Sequence, residues 1–344
     1  MKALPSFDTM SKYHCFHTLI LFLLLWGCNS KSALPPLQQV ADLPGTEMVS
    51  SMDQPVDWSK NQLYCVSLDY AWEAVRKALE GDAVVDERDE ALWRLHHSPN
   101  PEGVLAPDEI DVSARVQFKA VSAVARFEKQ LPFSRPFEAN TSNLNFAGTP
   151  VQHFGTWGNA QGFDERVSIA YYGSEHQFAV RLLPAEENHE IWLLAMEQPL
   201  GNSLQTSWEK SMIHMLINYS PDEQPAEELW RYEFLENDRL QIPMIAFQLM
   251  HDYPEMIGKN INVLPQSYQV LAVSQRVGLV LNESGATVRS ESEVAVASEA
   301  VEAAPPPKAM IFDRPFLLAL KRKDVARPYL LAWVANSEWM VAMD

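Results

Sequence analysis

The chain has 344 residues, of which 47% are hydrophobic and 21% charged, values typical of a globular protein rather than a disordered or fibrous one. Acidic residues outnumber basic residues by 45 to 27, which gives a formal net charge of −18. A chain of this charge repels phosphate groups, and its densest basic run, residues 321–323, is short. Nucleic acid is therefore excluded as a general partner, and so is a polybasic membrane-binding surface.

The first 28 residues predict export and a lipid anchor. Lys2 and Lys12 precede a short apolar run over residues 19–25, the pattern of a secretory signal. The sequence Leu-Trp-Gly-Cys that ends at Cys28 resembles the lipobox of bacterial lipoproteins, in which the cysteine becomes acylated. We expect residues 1–27 to be a signal peptide, Cys28 to carry lipid, and the protein to lie at the outer membrane or cell surface.

The cysteine count indicates that the mature fold is held without disulfides. Cys15 belongs to the signal and Cys28 to the anchor, so only Cys65 remains in the body of the protein. One thiol cannot form an internal disulfide, and the fold must depend on its hydrophobic core.

The next segments predict a tether and then helices. Residues 28–57 contain the lipidated cysteine and many Ser, Pro and Gln residues, which predict a flexible tether. Residues 58–112 predict a helical segment. Ser67 is the expected N-cap of a first helix that Gly81 ends, and residues 91–95 predict a second helix.

From about residue 113 to 340 the pattern is typical of strands. We expect strands at Val167–Tyr171, Phe178–Leu183, Ile191–Met196, Leu240–Phe247, Val270–Leu281, Pro315–Leu320 and Tyr329–Val334, with a short helix near Tyr253–Ile257. The continuous apolar run after the acidic turn at residues 186–190 suits a strand buried on both faces and predicts a hairpin. The sequence therefore predicts an α+β fold with large antiparallel or mixed sheets and helices near the N-terminus.

Motifs for enzyme chemistry are weak in this chain. Gly201-Asn202-Ser203 lacks the closing glycine of a nucleophile elbow, and His189-Glu190 lacks the second histidine of a zincin motif. Cys65, close to a predicted helix N-terminus, is the best candidate nucleophile, and nothing in the sequence selects a histidine partner for it. We expect no enzyme activity, no metal site and no cofactor, and we keep a Cys65 hydrolase as the least favoured alternative.

Residues 286–299 alternate between two kinds of side chain. One set is small and uncharged: Ala286, Val288, Ser290, Ser292, Val294, Val296 and Ser298. The other set contains every charge: Thr287, Arg289, Glu291, Glu293, Ala295, Ala297 and Glu299. This period of two predicts a segment that can lie as a strand with its small face against a core. Because Pro305-Pro306-Pro307 follow, two interpretations stay open: an edge strand that runs into a linker, or an exposed loop that can become a strand.

Several motifs in this chain resemble motifs of the serpins. The segment Val280–Gly285 resembles the hinge that ends a serpin strand and opens the reactive loop. The motif Phe133-x-x-Pro136-Phe137 resembles the family's Trp-x-x-Pro-Phe segment. Downstream, Asp313–Leu317 and Tyr329–Asn336 resemble the strands that follow the loop. The resemblance covers roughly residues 113–337, in the family's order and spacing.

The resemblance implies a protease inhibitor that acts as a suicide substrate. A serine or cysteine protease would cleave an exposed loop, here residues 285–312, and the freed loop would insert as a strand into a sheet. The hinge would comprise Glu283, Gly285, Ala286 and Val288. Two ways of counting place the bait bond after Glu299, before Ala300, or after Glu302, before Ala303.

Two positions depart from the family's pattern. Gln275 replaces a usual histidine and Ala123 a usual asparagine, in the region that gates sheet opening. A serpin-like surface binding protein that does not inhibit is therefore the alternative function.

Overall fold

The computed structural model describes residues 34–117, 120–127, 129–158, 162–163, 165–218, 226–286 and 306–343. These residues contain three helices and 21 strands, so the predicted α+β class with mixed sheets is confirmed. The helices are α1 (Ser67–Ala78), α2 (Glu90–His97) and α3 (Leu204–Asn218). The strands are β1 (Gln38–Gln39), β2 (Thr46–Met48), β3 (Asn61–Cys65), β4 (Val84–Val85), β5 (Ile110–Gln117), β6 (Ala120–Phe127), β7 (Leu131–Pro132), β8 (Glu138–Phe146), β9 (Thr149–Trp157), β10 (Val167–Ser174), β11 (Gln177–Leu182), β12 (His189–Ala195), β13 (Arg239–Pro243), β14 (Ile245–Asp252), β15 (Asn260–Val263), β16 (Gln266–Val270), β17 (Ser274–Leu281), β18 (Gly285–Ala286), β19 (Ala309–Ile311), β20 (Phe316–Arg322) and β21 (Leu330–Val334).

A seven-stranded sheet forms the centre of the core, in the order β10-β11-β12-β20-β21-β3-β2. The predicted hairpin is confirmed, because β11 and β12 pair antiparallel in register. Nearly every side chain of β12 and every one of β21 is buried, which agrees with their continuous apolar sequences. The only parallel pair in this sheet joins β2 to β3.

Three further sheets surround this core. One has four strands in the order β19-β13-β9-β8, another five in the order β4-β15-β16-β6-β5, and the third has three in the order β1-β14-β17. A two-stranded ladder joins β7 to β18. The candidate functional site lies where the five-stranded sheet, the three-stranded sheet and this ladder meet.

Helices α1 and α2 lie where the sequence predicts them. The apolar face of α1 packs on β5 and β6 and buries Leu68, Trp72 and Val75, as its helical spacing indicates. Ser67 is the first helical residue and Val66 occupies the cap position, one residue earlier than expected. The short helix expected near Tyr253–Ile257 is a single 3-10 turn at Pro254–Met256.

The strand predicted at Leu240–Phe247 is wrong as a single element. The chain forms two strands there, β13 and β14, which belong to different sheets. Pro243 ends β13, and because proline has no backbone N–H it cannot continue a ladder on both sides. The chain therefore changes sheets at Met244, whose N–H donates to the carbonyl of Gln152.

The flexible tether predicted for residues 28–57 is corrected from Gln38 onward, because this part is folded. It contains β1 and β2, and Val40, Met48, Val49 and Met52 are buried in the core. The helical segment predicted for residues 58–112 also contains β3, which pairs with β21 in the central sheet. Among the described residues, no helix has the length and apolar composition needed to span a bilayer.

Candidate functional site

A tight hairpin turn ends β17 at the predicted hinge. The N–H of Asn282 donates to the carbonyl of Gly285 at 3.3 Å, and the N–H of Gly285 donates back to the carbonyl of Asn282 at 3.1 Å. Within the turn, the N–H of Ser284 donates to Oδ1 of Asn282 at 3.0 Å. The turn reverses the chain, so Gly285 and Ala286 start back along the edge of β17.

Gly285 is required by the shape of this turn. Its φ is +98°, in the region that favours glycine, and an added Cβ would lie 2.5 Å from the carbonyl oxygen of Leu131 and 2.6 Å from the nitrogen of Phe133. Both neighbours are backbone atoms, which cannot rotate away as a side chain can. The backbone of β7 therefore fits against Gly285 because it has no side chain.

The segment Phe133–Phe137 hydrogen-bonds to the backbone of the predicted hinge. The N–H of Phe133 donates to the carbonyl of Ser284 at 3.1 Å, and the N–H of Phe137 donates to that of Glu283 at 2.8 Å. The two rings are buried with their centroids 5.0 Å apart, and Phe163 stacks on Phe137 at 4.9 Å. The aromatic motif that the sequence singled out thus holds the hinge backbone in place.

Strands β6 and β17 are joined at both ends but not between them. At one end β16 pairs in parallel with Ala120–Val121 of β6, and β17 follows β16 after three residues. At the other end β7 pairs with β18, the hairpin partner of β17. Both strands therefore run in the same direction. Among the described residues no strand pairing links Ser122–Phe127 to Ser274–Leu281, so each strand leaves backbone N–H and C=O groups available to a further strand.

Gln275 ties the inner face of β17 to the start of α1. Its Nε2 donates to the carbonyl of Cys65 at 2.8 Å and to Oγ of Ser67 at 3.0 Å. Its Oε1 accepts a hydrogen bond of 2.8 Å from the hydroxyl of Tyr253. Gln275 is 6% exposed, so moving β17 away from α1 breaks the two buried hydrogen bonds to Cys65 and Ser67. The sequence singled out Gln275 and, as a helix cap, Ser67, but no local pattern links Gln275 to Ser67 or to Tyr253.

Ala123, the second departure, lies on β6 with its side chain partly buried. It faces the same side of the sheet as Ala125, opposite to the exposed Ser122 and Val124. A methyl group at this position cannot hydrogen-bond to β17, and the amide of Gln275 donates to Cys65 and Ser67.

Cys65 lies beside this site and has the environment of a structural cysteine. It is 3% exposed, and its Sγ is 3.5 Å from Oγ of Ser67. Burial raises the pKa of the thiol above its ordinary value, which keeps the sulfur protonated and a poor nucleophile. This geometry gives no support to the alternative of a Cys65 hydrolase.

A buried ion pair anchors the chain at Lys308, near the C-terminal end of the predicted loop of residues 285–312. Nζ of Lys308 is 2.8 Å from Oδ2 of Asp238 and donates to the carbonyl of Trp230 at 2.9 Å. The backbone N–H of Lys308 donates to Oδ1 of Asp238 at 2.7 Å. Burial lowers the pKa of Lys308, and the bond to Asp238 opposes that shift. Strand β19 begins at the next residue and pairs with β13.

A charged cluster connects the β6–β7 junction to the central sheet. Nζ of Lys129 is 2.6 Å from Oε1 of Glu109 and 2.5 Å from Oε1 of Glu186, and Nε2 of His189 is 2.8 Å from Oε1 of Glu109. Burial alone would raise the pKa of Glu109, but the hydrogen bonds from Lys129 and the Ala106 N–H together lower it to about 2. Burial also lowers the pKa of His189.

The same cluster contains the donor atoms that come nearest to a metal site. One ligand atom from each of Glu109, Glu186 and His189 lies within 4.8 Å of the others. The ammonium group of Lys129 already bonds to both carboxylates. It supplies the positive charge that a cation would otherwise provide.

The structure brings together three of the predicted hinge residues, namely Glu283, Gly285 and Ala286. The fourth, Val288, lies outside the described residues. So do the candidate bait residues Glu299, Ala300, Glu302 and Ala303 and the predicted lipidation site Cys28. The bait bond and the anchor therefore stay predictions.

Comparisons with known proteins return serpins among solved structures. The chain is similar to human glycosylated kallistatin (TM-score 0.46, 9% identity, 81% of this chain and 92% of that chain). It is similar to the thermophilic serpin tengpin in its native state (TM-score 0.43, 10% identity, 87% and 99%). It is also similar to a serpin from the trematode Schistosoma haematobium (TM-score 0.39, 13% identity, 63% and 56%).

These likenesses concern the architecture alone. The chain spans 56% of the length of the trematode serpin. No protein-family model and no curated protein sequence matches the chain. Serpins are the family that the hinge motifs resemble, and the proposals that follow rest on the residues of this chain.

Proposed function

We propose that this protein is a serpin-like protease inhibitor that acts as a suicide substrate, with residues 287–299 inserting as a new strand between β6 and β17 after cleavage. One observation carries the proposal: β6 and β17 run in the same direction, are joined at both ends and leave their facing edges unpaired. A strand added between them would complete both hydrogen-bond ladders. The segment that follows Ala286 starts at this gap and has the alternating sequence that such a strand needs.

The alternation agrees with the pleat of the neighbouring strands. Leu281 and Leu131 are buried on the inner face, and each lies in register with Ala286. The residues that share the parity of Ala286 are small and uncharged up to Ser298. An inserted strand would therefore bury the small set and expose the charged set.

Substitutions at neighbouring positions of the segment test the proposal. Val288→Arg would place a charge on the inward face and block insertion, whereas Thr287→Arg, one residue away, would place the same charge outward. We expect the full chain to form an SDS-stable complex with a serine or cysteine protease. Thr287→Arg should retain the complex, and Val288→Arg should be cleaved without forming it. Sequencing the released fragment locates the bond among the Glu299, Ala300, Glu302 and Ala303 candidates.

A second function is favoured by the hydrogen bonds of Gln275, which hold β17 against α1. If that restraint is strong enough, the loop stays out after cleavage and the protein is a serpin-like surface binding protein. Cleavage of the native chain without a complex and without a rise in melting temperature would favour this function over inhibition.

We also propose that the protein is anchored by lipid on Cys28 at the outer membrane or cell surface. The apolar run and the Leu-Trp-Gly-Cys sequence support this. Metabolic labelling with palmitate should mark the native chain, and Cys28→Ser should abolish both the label and sedimentation with membranes. Cys65→Ser is the matched control and should change neither.

A further inference from the structure

Strand β5 is an unpaired edge of the five-stranded sheet. It pairs with β6 over its whole length, from Ile110 to Gln117, without a shift in register. Among the described residues no strand pairs with its other side. Alternate residues of β5 direct their N–H and C=O groups away from β6, so these groups can bond to one further strand.

The sequence of β5 lacks the features that usually block such an edge. It contains no proline and no lysine, and its ladder with β6 has no bulge. Helix α1 packs on both β5 and β6, so it covers the inner face of the two strands and leaves the outer side of β5 open to a neighbour.

The outer face of β5 has two opposite charges placed symmetrically about one residue. Asp111, Ser113 and Arg115 are exposed there, and neither charged group forms an ion pair with another described residue. The acid lies two residues before Ser113 and the base two residues after it. This face is therefore neutral in a chain of net charge −18, which allows two copies to approach one another here.

A second copy of β5 fits this edge when it lies antiparallel about a two-fold axis at Ser113. Asp111 of each copy is then opposite Arg115 of the other, and the symmetry forms this ion pair twice. On the inner face, Val112 of each copy is opposite Ala114 of the other. Both side chains are only partly buried in the single chain, so the second copy would remove further apolar surface from water.

Other registers satisfy these charges less well. A shift of one residue places outer-face residues opposite inner-face residues. A shift of two places one of the charges opposite Ser113. In one direction it also places Arg115 opposite Glu109, whose carboxylate is already bonded within the charged cluster. A shift of four places Asp111 opposite Asp111 or Arg115 opposite Arg115, and like charges directly opposite one another are destabilising.

We propose that β5 is a self-association surface, at which a second copy of this chain adds its own β5 and joins the two five-stranded sheets across a two-fold axis. The inference goes beyond the proposed inhibition and does not depend on it. Strand β6 pairs with β5 on one side and with β16 on the other. The dimer therefore leaves the edge of β6 that faces β17 free.

Sedimentation equilibrium of the full chain, from low to high micromolar concentration, tests the proposal. The wild-type mass should rise from 39.0 kDa toward twice that value. Asp111→Arg and Arg115→Asp each place like charges opposite one another at both pairs, and each should raise the dissociation constant about tenfold or more. The double variant restores opposite signs and should return to within about threefold of wild type. Arg276→Asp is the control, because it changes the net charge as Arg115→Asp does but lies on β17, where it is also exposed.

Crosslinking locates the two-fold axis without changing a charge. Ser113→Cys would place one thiol of each copy opposite the other, so a short bis-maleimide should link two copies. Val124→Cys is the matched control, because Val124 is exposed on the same face and lies opposite Ser113, one strand further from the axis. With strands about 4.8 Å apart, two such sites would be about 14 Å apart and should not be linked. The wild-type chain gives the background from the native cysteines.

Three results would overturn the proposal. The first is a wild-type chain that keeps the mass of one copy at every concentration. The second is a dimer whose dissociation constant is the same in the single charge variants as in wild type. The third is crosslinking of Val124→Cys as efficient as that of Ser113→Cys. Either of the last two would assign the association to another surface. If a charge variant does not fold, the crosslinking comparison decides.

Discussion

The ammonium group of Lys308 lies 2.8 Å from Oδ2 of Asp238, and both side chains are completely buried. Asp238 also accepts the backbone N–H of Lys308 through its other oxygen. This pair ties the residue just before β19 to the residue just before β13. It therefore fixes the chain at Lys308, just as the hydrogen bonds of the turn at Asn282–Gly285 fix it on the other side.

Removing the lysine from the Lys308–Asp238 ion pair should lower the free energy of unfolding. Lys308→Met leaves the Asp238 carboxylate buried with only backbone donors, and we expect a loss of about 3–5 kcal/mol in the free energy of unfolding. Urea denaturation measures it. Lys323→Met is the control for loss of an exposed lysine and should cost less than about 0.5 kcal/mol. Equal effects of the two substitutions would contradict the role assigned to this ion pair.

Gly285→Ala should destabilise the intact protein more than another glycine substitution at a similar φ. Gly148 has a φ of +94° and nothing within 4 Å of an added Cβ, whereas Gly285 has a φ of +98° and two backbone atoms within 2.6 Å. The loss of stability caused by Gly148→Ala therefore measures the backbone strain of a positive φ alone, about 1–2 kcal/mol. Gly285→Ala should cost that amount and more, because β7 must also move. Thermal unfolding of both variants provides the comparison, and a smaller cost at Gly285 would exclude close packing of the hinge against β7.

Gln275→Leu should lower the stability of the intact protein and ease the movement of β17. The substitution leaves the carbonyl of Cys65, the hydroxyl of Ser67 and the hydroxyl of Tyr253 without this partner, a loss of about 1–3 kcal/mol. Gln266→Leu is the control, because Gln266 is exposed and bonds only to Tyr268.

If Gln275 restrains insertion, the Gln275→Leu protein should also reach the stable cleaved form faster after proteolysis than the wild type does. Unchanged kinetics together with lowered stability would assign Gln275 a structural role only.

The cluster around Glu109 predicts an acid-induced loss of stability in two steps. The pKa of His189 is below 6.5 in the folded protein, so the unfolded chain takes up a proton more readily as pH falls through 6.5, and stability begins to drop there. The pKa of Glu109 is lowered from 4.5 to about 2, so its contribution is present above pH 4.5 and is lost as pH falls toward 2.

Stability curves against pH for two variants check these steps. His189→Gln should flatten the curve just below pH 6.5, and Glu109→Gln should flatten it between 4.5 and 2. Glu187→Gln is the control, since Glu187 is an exposed neighbour in the same turn. A wild-type curve that is level from pH 6.5 to 2 would contradict the assigned pKa shifts.

Much of the fold was predictable because local patterns were strong. The run Ile191–Met196 is apolar throughout and forms β12, and Leu68, Trp72 and Val75 follow helical spacing and form α1. Where the prediction was wrong, a local signal competed with tertiary packing. Residues 28–57 have the composition of a tether, yet four of their side chains are buried in the core: Val40, Met48, Val49 and Met52. Pro243 separates two strands that the sequence joins as one.

The candidate site was predictable only in part. The turn at Gly285 could be located because a glycine between two strand-like runs is a local feature of the sequence, and its role as a hinge stays a prediction. The partners of Gln275 could not, because Cys65, Ser67 and Tyr253 lie 22 to 210 residues away and no local pattern links them to Gln275. Neither could Lys308 and Asp238, which are 70 residues apart.

The sequence by itself determined the α+β class, the strand-forming segment with one small and one charged face, and the need for glycine at the hinge. These are set by side-chain periodicity and backbone sterics, which act between near neighbours in the chain. Only the tertiary structure decided that two strands with unpaired edges lie beside the end of β17 among the described residues. The gap exists because β6 and β17, about 150 residues apart in sequence, are brought side by side through β16, β7 and β18.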